Sequence, residues 1–126
     1  IGLTGCDMGV SYFLPRMVGS SVAAEYLLTG RFMDAARAQA LGLVSQVAEL
    51  PALQQEAQAL ADDMLRTTPL GLRLTKEALG HSLDMGSLEA VIAMEDRQQV
   101  LCTQSDDFRE GMQAFLEKRE PKYTGR

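Results

Sequence analysis

Ile1-Gly2-Leu3-Thr4-Gly5-Cys6-Asp7-Met8-Gly9-Val10-Ser11-Tyr12-Phe13-Leu14-Pro15-Arg16-Met17-Val18-Gly19 opens the chain and decides how the rest is read. Its first residues are apolar and glycine-rich, as expected at the end of a strand that runs into a tight turn. Asp7 precedes Met8-Gly9 and the run Val10 to Phe13, which reads as the first turns of a helix. An acid at that place lies near unsatisfied backbone N–H groups and the favourable end of the helix dipole. On residue type alone Asp7 is an N-cap, worth about 1 kcal/mol to the helix.

Beyond this stretch the punctuation is helical almost throughout. Ser20 or Ser21 caps a second helix with Val22, Ala23, Tyr26 and Leu27 on one face, and Gly30 suits its left-handed C-terminal position. Asp34 caps a short alanine-rich helix that Gly42 ends, and Leu43 to Val47 reads as a short strand or extended connector. Pro51 opens a long amphipathic helix whose buried stripe is Leu53, Ala57, Leu60, Ala61, Met64 and Leu65. Thr68 with Pro69 starts the next helix, and Gly80 and Gly86 bracket a loop that holds His81. Ser87 starts another helix, with Glu95 on its apolar face, and Ser105 caps the last, whose stripe is Phe108, Met112, Phe115 and Leu116. Gly111 inside that helix costs about 1 kcal/mol against Ala, which points to a close contact there.

Composition bounds the function. The 126 residues suffice for one domain with a modest core, and 46% are apolar, normal for a globular chain. A net charge of −5 offers no basic stripe to neutralise phosphates, so nucleic acid is not the expected partner and a helix-turn-helix regulator is disfavoured. Cys6 and Cys102 are isolated thiols without metal or CxxC spacing, so no metal site and a reducing, cytoplasmic setting are expected. No membrane span or signal peptide is visible, and a mitochondrial address would have to precede Ile1.

Ile1-Gly2-Leu3, Asp7-Met8-Gly9 and Leu14-Pro15-Arg16-Met17-Val18-Gly19 resemble the middle of an enoyl-CoA hydratase/isomerase (crotonase) family protein. Later pieces fit in the same order: Leu28-Thr29-Gly30-Arg31, Ala40-Leu41-Gly42-Leu43-Val44, Thr75-Lys76-Glu77-Ala78, Glu95, Asp107, Glu110-Gly111, Ala114-Phe115-Leu116-Glu117-Lys118-Arg119 and Pro121-Lys122-Tyr123. The resemblance implies a mostly α fragment, the C-terminal part of such a protein whose N-terminal half is missing. Residues 1–48 then hold the end of an α/β spiral core, with a strand, helices and a short strand. Residues 49–126 form a helical region that builds a homotrimer or a dimer of trimers. The implied substrate is a fatty acyl-CoA thioester, with CoA part of the substrate and no other cofactor.

In the family, two backbone N–H groups stabilise the enolate on the thioester oxygen, because fixed donors at a developing charge are the largest catalytic contribution. The resemblance puts both donors, and one of the two acids that hydratases use, in the N-terminal half. The second acid falls a few residues ahead of Ile1. In the dienoyl-CoA isomerase branch an aspartate in a Gly-Leu…Asp-x-Gly setting is an acid/base group. Asp7-Met8-Gly9 matches that tripeptide, with one residue more between it and Gly2, and so puts Met8 and Gly9 beside the substrate. Both readings of Asp7, cap and proton carrier, stand at this point. Where the family pattern has Gly-Gly-Thr-Gln-Arg, this chain has Gly9-Val10-Ser11-Tyr12-Phe13, so a different acyl pocket is expected, with Tyr12 and Phe13 read as core.

In the tail, Lys118, Arg119, Lys122 and Arg126 concentrate positive charge suited to phosphate oxygens. The resemblance puts this segment near bound CoA, with Lys118 and Lys122 as ligands and Phe115 lining the acyl pocket. The competing reading is that these cations complement a helix C-terminus. His81 reads as a surface residue, Glu95 as an ion-pair partner, and Asp106 and Asp107 as first-turn acids. Hydration of a 2,3 double bond is the expected reaction. Double-bond isomerisation through Asp7 is the alternative, and a non-catalytic helical oligomerisation module is the rival from another class.

Overall fold

The computed structural model describes residues 2–126 as seven α-helices, with no strand among the described residues. The chain divides into two compact units, Ile1–Leu53 and Gln54–Arg126. Ile1, the first residue of the expected strand end, lies outside the described residues, and Gly2 to Thr4 form no strand. Leu43 to Val47 likewise bends and then runs without regular structure. A strand exists only by pairing its N–H and C=O groups with a neighbour, and none of the described residues supplies that edge.

In the first unit α1 (Val10–Val18) packs on α2 (Ser20–Thr29), and α3 (Ala35–Ala40) follows. Gly19, at φ 86 and ψ 155, separates α1 from α2 and takes the N-cap place itself, so neither Ser20 nor Ser21 caps α2. Gly30 ends α2 in the left-handed region at φ 66, as its sequence position suggests. Asp34 caps α3 by accepting from the Arg37 N–H at 2.7 Å. Gly5 holds the opening loop close to α2, because a Cβ there would run into the Leu27 carbonyl. A backbone carbonyl cannot swing aside as a side-chain tip can. Gly5→Ala is therefore expected to cost about 1–3 kcal/mol, read as a lower urea midpoint at unchanged slope. An unchanged midpoint would mean that the loop is not held there.

Helix α4 (Leu50–Leu65) crosses the boundary between the units and has no buried residue, so its expected buried stripe is instead exposed. In the second unit α5 (Pro69–Ser82) packs on α6 (Leu88–Thr103), and α6 on α7 (Asp106–Glu117). Thr68, Ser87 and Ser105 cap these three helices through their hydroxyl oxygens, which accept from Gly71, Ala90 and Phe108 N–H groups. Gly80 and His81 are helical rather than looped, since α5 continues through Ser82. His81 is exposed, with Nε2 3.9 Å from the Glu77 carboxylate one turn earlier.

Neither unit has a large interior. Among the described residues Ala23 and Ala38 are the buried apolar residues of the first, Met94 and Ala114 those of the second. In α7 the residues buried are Asp107 and Ala114, while the expected buried stripe of Phe108, Met112, Phe115 and Leu116 is exposed. Contiguous apolar faces of this kind mark surfaces made for contact with something else.

Candidate functional site

The residues singled out in the sequence fall into two groups, one in each unit. In the first, the chain turns sharply at Asp7 to Gly9. The Met8 N–H donates to the Asp7 carboxylate at 2.8 Å, and the Val10 N–H donates to the Asp7 carbonyl at 3.0 Å. Helix α1 starts only at Val10, with Gly9 at its N-cap place in the left-handed region at φ 92. Asp7 is thus not the cap of α1. Among the described residues its exposed carboxylate is held by the amide of the next residue. Met8 has φ 48, a left-handed conformation that costs a side-chain-bearing residue energy, and its side chain is 95% exposed. Nothing in apolar burial accounts for a methionine there.

Behind this turn, Tyr12 and Phe13 meet edge to face with ring centroids 5.1 Å apart. The Arg16 guanidinium lies 3.5 Å over the Tyr12 ring, and one of its N–H groups donates to the Tyr12 carbonyl at 2.9 Å. Phe13 is half-exposed, so these aromatics stiffen the start of α1 rather than fill a core.

The second group lies on α7 and the tail. Helix α7 has two faces. Phe108, Met112, Phe115 and Leu116 point outward, with Phe115 77% exposed. Asp107, Glu110, Gly111 and Ala114, spaced at three and four, make the other face, and the tail runs back over it. Asp107 is 2% exposed. Its carboxylate accepts from the Thr124 N–H at 2.7 Å and the Gly125 N–H at 2.8 Å, and its own N–H donates to the Arg126 carbonyl at 3.1 Å. Glu110 accepts from the Lys122 N–H at 2.8 Å and from two Arg119 nitrogens at 2.6 and 3.0 Å. Tyr123 crosses at Gly111, where a Cβ would lie 3.2 Å from the tyrosine hydroxyl oxygen. The close contact expected at Gly111 is therefore present.

This arrangement changes the reading of the basic tail. Arg119 also donates to Glu117 at 2.6 Å, so its guanidinium is held by two carboxylates and is not available to a phosphate. Lys118 and Lys122 are both exposed. Lys118 stands at the C-terminal cap of α7 at φ 54, again a left-handed residue that is not glycine.

The Arg119 N–H groups, helped by the Lys122 N–H, hold the Glu110 carboxyl down at about 2 from its ordinary 4.5. Glu117 is lowered as well, chiefly by Arg119, and Arg119 is raised by Glu110 and Glu117. A carboxyl depressed on folding stabilises the fold fully above its ordinary value, and that contribution is lost as pH falls toward the folded value. Tail attachment at Lys122 is thus expected to be constant from neutral pH down to 4.5 and to weaken between 4.5 and 2. Amide exchange at Lys122 measures it. An onset near neutrality would point to a different group.

A third feature is a groove of about 430 Å³ between α5 and α6, lined by Thr75, Ser82, Glu95, Asp96, Gln99 and Cys102 among others. Glu95 is exposed there. Two carboxylates and no lysine or arginine in its lining make the groove a poor host for phosphates. Cys6 and Cys102 are free thiols. Among the described residues no group of His, Cys, Asp and Glu is placed to hold a metal ion, and no helix is long and apolar enough to cross a membrane.

Asp107 is a first-turn acid of α7, as its distance from Ser105 predicts, but that spacing does not predict the hold of α7 on the tail. The available signal was the small and acidic spacing Asp107, Glu110, Gly111, Ala114 opposite the apolar stripe.

The helical order and the Asp7-Met8-Gly9 turn can be set beside known proteins. A family model described as Enoyl-CoA hydratase/isomerase matches residues 1–126. The chain is 39% identical over 113 residues to 2,3-dehydroadipyl-CoA hydratase of Escherichia coli, covering 90% of this chain and 44% of that protein. It is 35% identical over 120 residues to 1,2-epoxyphenylacetyl-CoA isomerase of the same organism, covering 95% and 45%. The crystal structure of enoyl-CoA hydratase EchA1 from Mycobacterium marinum superposes with a TM-score of 0.89 at 35% identity, over 99% of this chain and 49% of that one. The chain thus spans about half the length of these relatives, and its helices follow the helical part of their fold. A family-model match over residues 1–126, with a backbone match over 99% of the chain, makes this chain a member of the enoyl-CoA hydratase/isomerase family.

Proposed function

We propose that this chain is the C-terminal portion of an enoyl-CoA hydratase acting on fatty acyl-CoA thioesters. The observation that carries the reading is the family match over residues 1–126. In the reaction, water oxygen bonds to C3 of a 2,3-enoyl thioester and a proton goes to C2, by way of an enolate on the thioester oxygen. The upstream half of the polypeptide supplies the oxyanion donors, and no metal or redox cofactor takes part. This chain contributes Lys118 and Lys122 as cationic partners for CoA phosphates, Phe115 as a wall of the acyl pocket, and the Asp7–Gly9 turn beside the acyl group. The exposed face of α7 supports assembly into a homotrimer or a dimer of trimers.

Isomerisation is the second reading. It is favoured by Asp7, whose carboxylate is exposed rather than used as a cap, and by the likeness to a relative named as an isomerase. The test is direct. The intact gene product is given a 2-enoyl-CoA and, separately, a 3-enoyl-CoA, and the conjugated thioester absorbance is followed. Loss of absorbance with the first is expected for a hydratase, and a gain with the second for an isomerase. No change with either would favour a non-catalytic oligomerisation module.

A further inference from the structure

The structure assigns Asp107 and Glu110 a positioning role: together they clasp residues 119–126 along α7 and so fix where the tail presents the Lys122 ammonium. The inference rests on the reading of Lys118 and Lys122 as CoA ligands and adds the residues that aim them. Four observations carry it. Asp107 is the charged residue found buried among those described, and a buried carboxylate is tolerated only when its oxygens are satisfied. Its two oxygens take one backbone N–H each, from Thr124 and Gly125, while its own N–H returns a bond to Arg126. One turn on, Glu110 takes the amide of Lys122 itself and forks with Arg119. Gly111 between them leaves the room that Tyr123 occupies.

Among the described residues these carboxylates accept from tail backbone N–H groups, from the Thr124 hydroxyl at 3.4 Å and from Arg119, and no hydrogen bond or ion pair joins them to the Lys118 or Lys122 ammonium. The clasp therefore holds the main chain without tying either ammonium into an ion pair, although the Lys122 charge is close enough to help depress Glu110. A flexible tail must be ordered when a ligand binds, and that ordering subtracts from affinity; a tail ordered beforehand avoids the loss. The clasp is confined to one helix and its own continuation, so it forms within one unit of the chain.

Asp107→Asn tests this, because an amide keeps one acceptor oxygen but faces the second tail N–H with a donor. Glu110→Gln is the companion variant, on a partly exposed residue that folding does not depend on in the same way. Both are made in the intact gene product. Free CoA and pantetheine, which lacks the nucleotide phosphates, are titrated calorimetrically at several salt concentrations, alongside tryptic cleavage after Lys122. The expected result is CoA affinity lowered about threefold or more, a shallower salt dependence, pantetheine affinity and kcat unchanged, and faster cleavage after Lys122. Unchanged CoA affinity in both variants, whether or not the tail is cut faster, would overturn the positioning role. Equal losses for CoA and pantetheine would overturn it too, as general loosening. Failure of the unmodified protein to bind CoA at all would remove the enzymatic reading and this inference with it.

Discussion

If Asp7 is the proton carrier of the isomerase reading, Asp7→Asn in the intact gene product is expected to lower turnover at least tenfold, with the melting temperature close to that of the parent. The structure is what makes the two halves of that expectation separable. A capping acid would lose about 1 kcal/mol on losing its charge-assisted bond to a helix N–H. Asp7 makes no such bond. Gly9 holds the cap place of α1, and among the described residues the Asp7 carboxylate accepts from the Met8 N–H, at 2.8 Å. Asparagine retains an oxygen for that amide but cannot exchange a proton near neutral pH. On the isomerase reading, stability is therefore preserved while proton transfer is lost, and kcat falls with little change in KM. Alanine would be the poorer test, because it also frees the amide that helps Met8 hold φ 48. Turnover unchanged in the asparagine variant would leave Asp7 as a turn residue and take with it the support for isomerisation through this position.

What was legible in the sequence was local. Asp34, Thr68, Ser87 and Ser105 cap helices because a short oxygen-bearing side chain there reaches an amide two or three residues on, which needs no knowledge of the rest of the chain. Gly30 and Gly111 are legible for the same reason, one as a left-handed helix end and the other as a missing Cβ inside a helix. The family resemblance implies a mostly α fragment, and its motif residues recur in sequence along the whole chain. What failed was non-local. Periodicity finds an apolar stripe but does not say whether this chain or something else covers it, so the stripes of α4 and α7 were expected inside and lie outside. The distance of Asp107 from Ser105 places it correctly in the first turn of α7, but says nothing of partners seventeen and eighteen residues downstream. Arg119 was counted with the free cations because its pairing with Glu110 spans nine residues. In the candidate site, residue types were therefore readable, and their commitments to one another were not.

Lys118→Gly is expected to raise stability by up to about 1 kcal/mol while lowering CoA affinity about tenfold. The opposite signs give the experiment its force. Lys118 ends α7 at φ 54 and ψ 42, where a Cβ crowds the backbone and glycine does not. Relief of that crowding outweighs the extra freedom glycine gains in the unfolded chain only modestly, so the stabilisation is small but its sign is defined. A residue chosen for the helix end alone would be glycine or asparagine, as at Gly30 in α2. A lysine kept in the same conformation carries a cost that its ammonium must offset elsewhere, and a phosphate of CoA is the partner proposed. Loss of affinity in a protein that has become more stable cannot come from partial unfolding. Lys122→Ala is the control on the clasped segment, since its amide bond to Glu110 survives the substitution and only the ammonium is removed. Added salt should shrink the difference between each variant and the parent, because the attraction removed is between exposed charges. A Lys118→Gly protein that gains stability and binds CoA unchanged would show that the lysine is only a poor helix end, and the phosphate-binding role would pass from it.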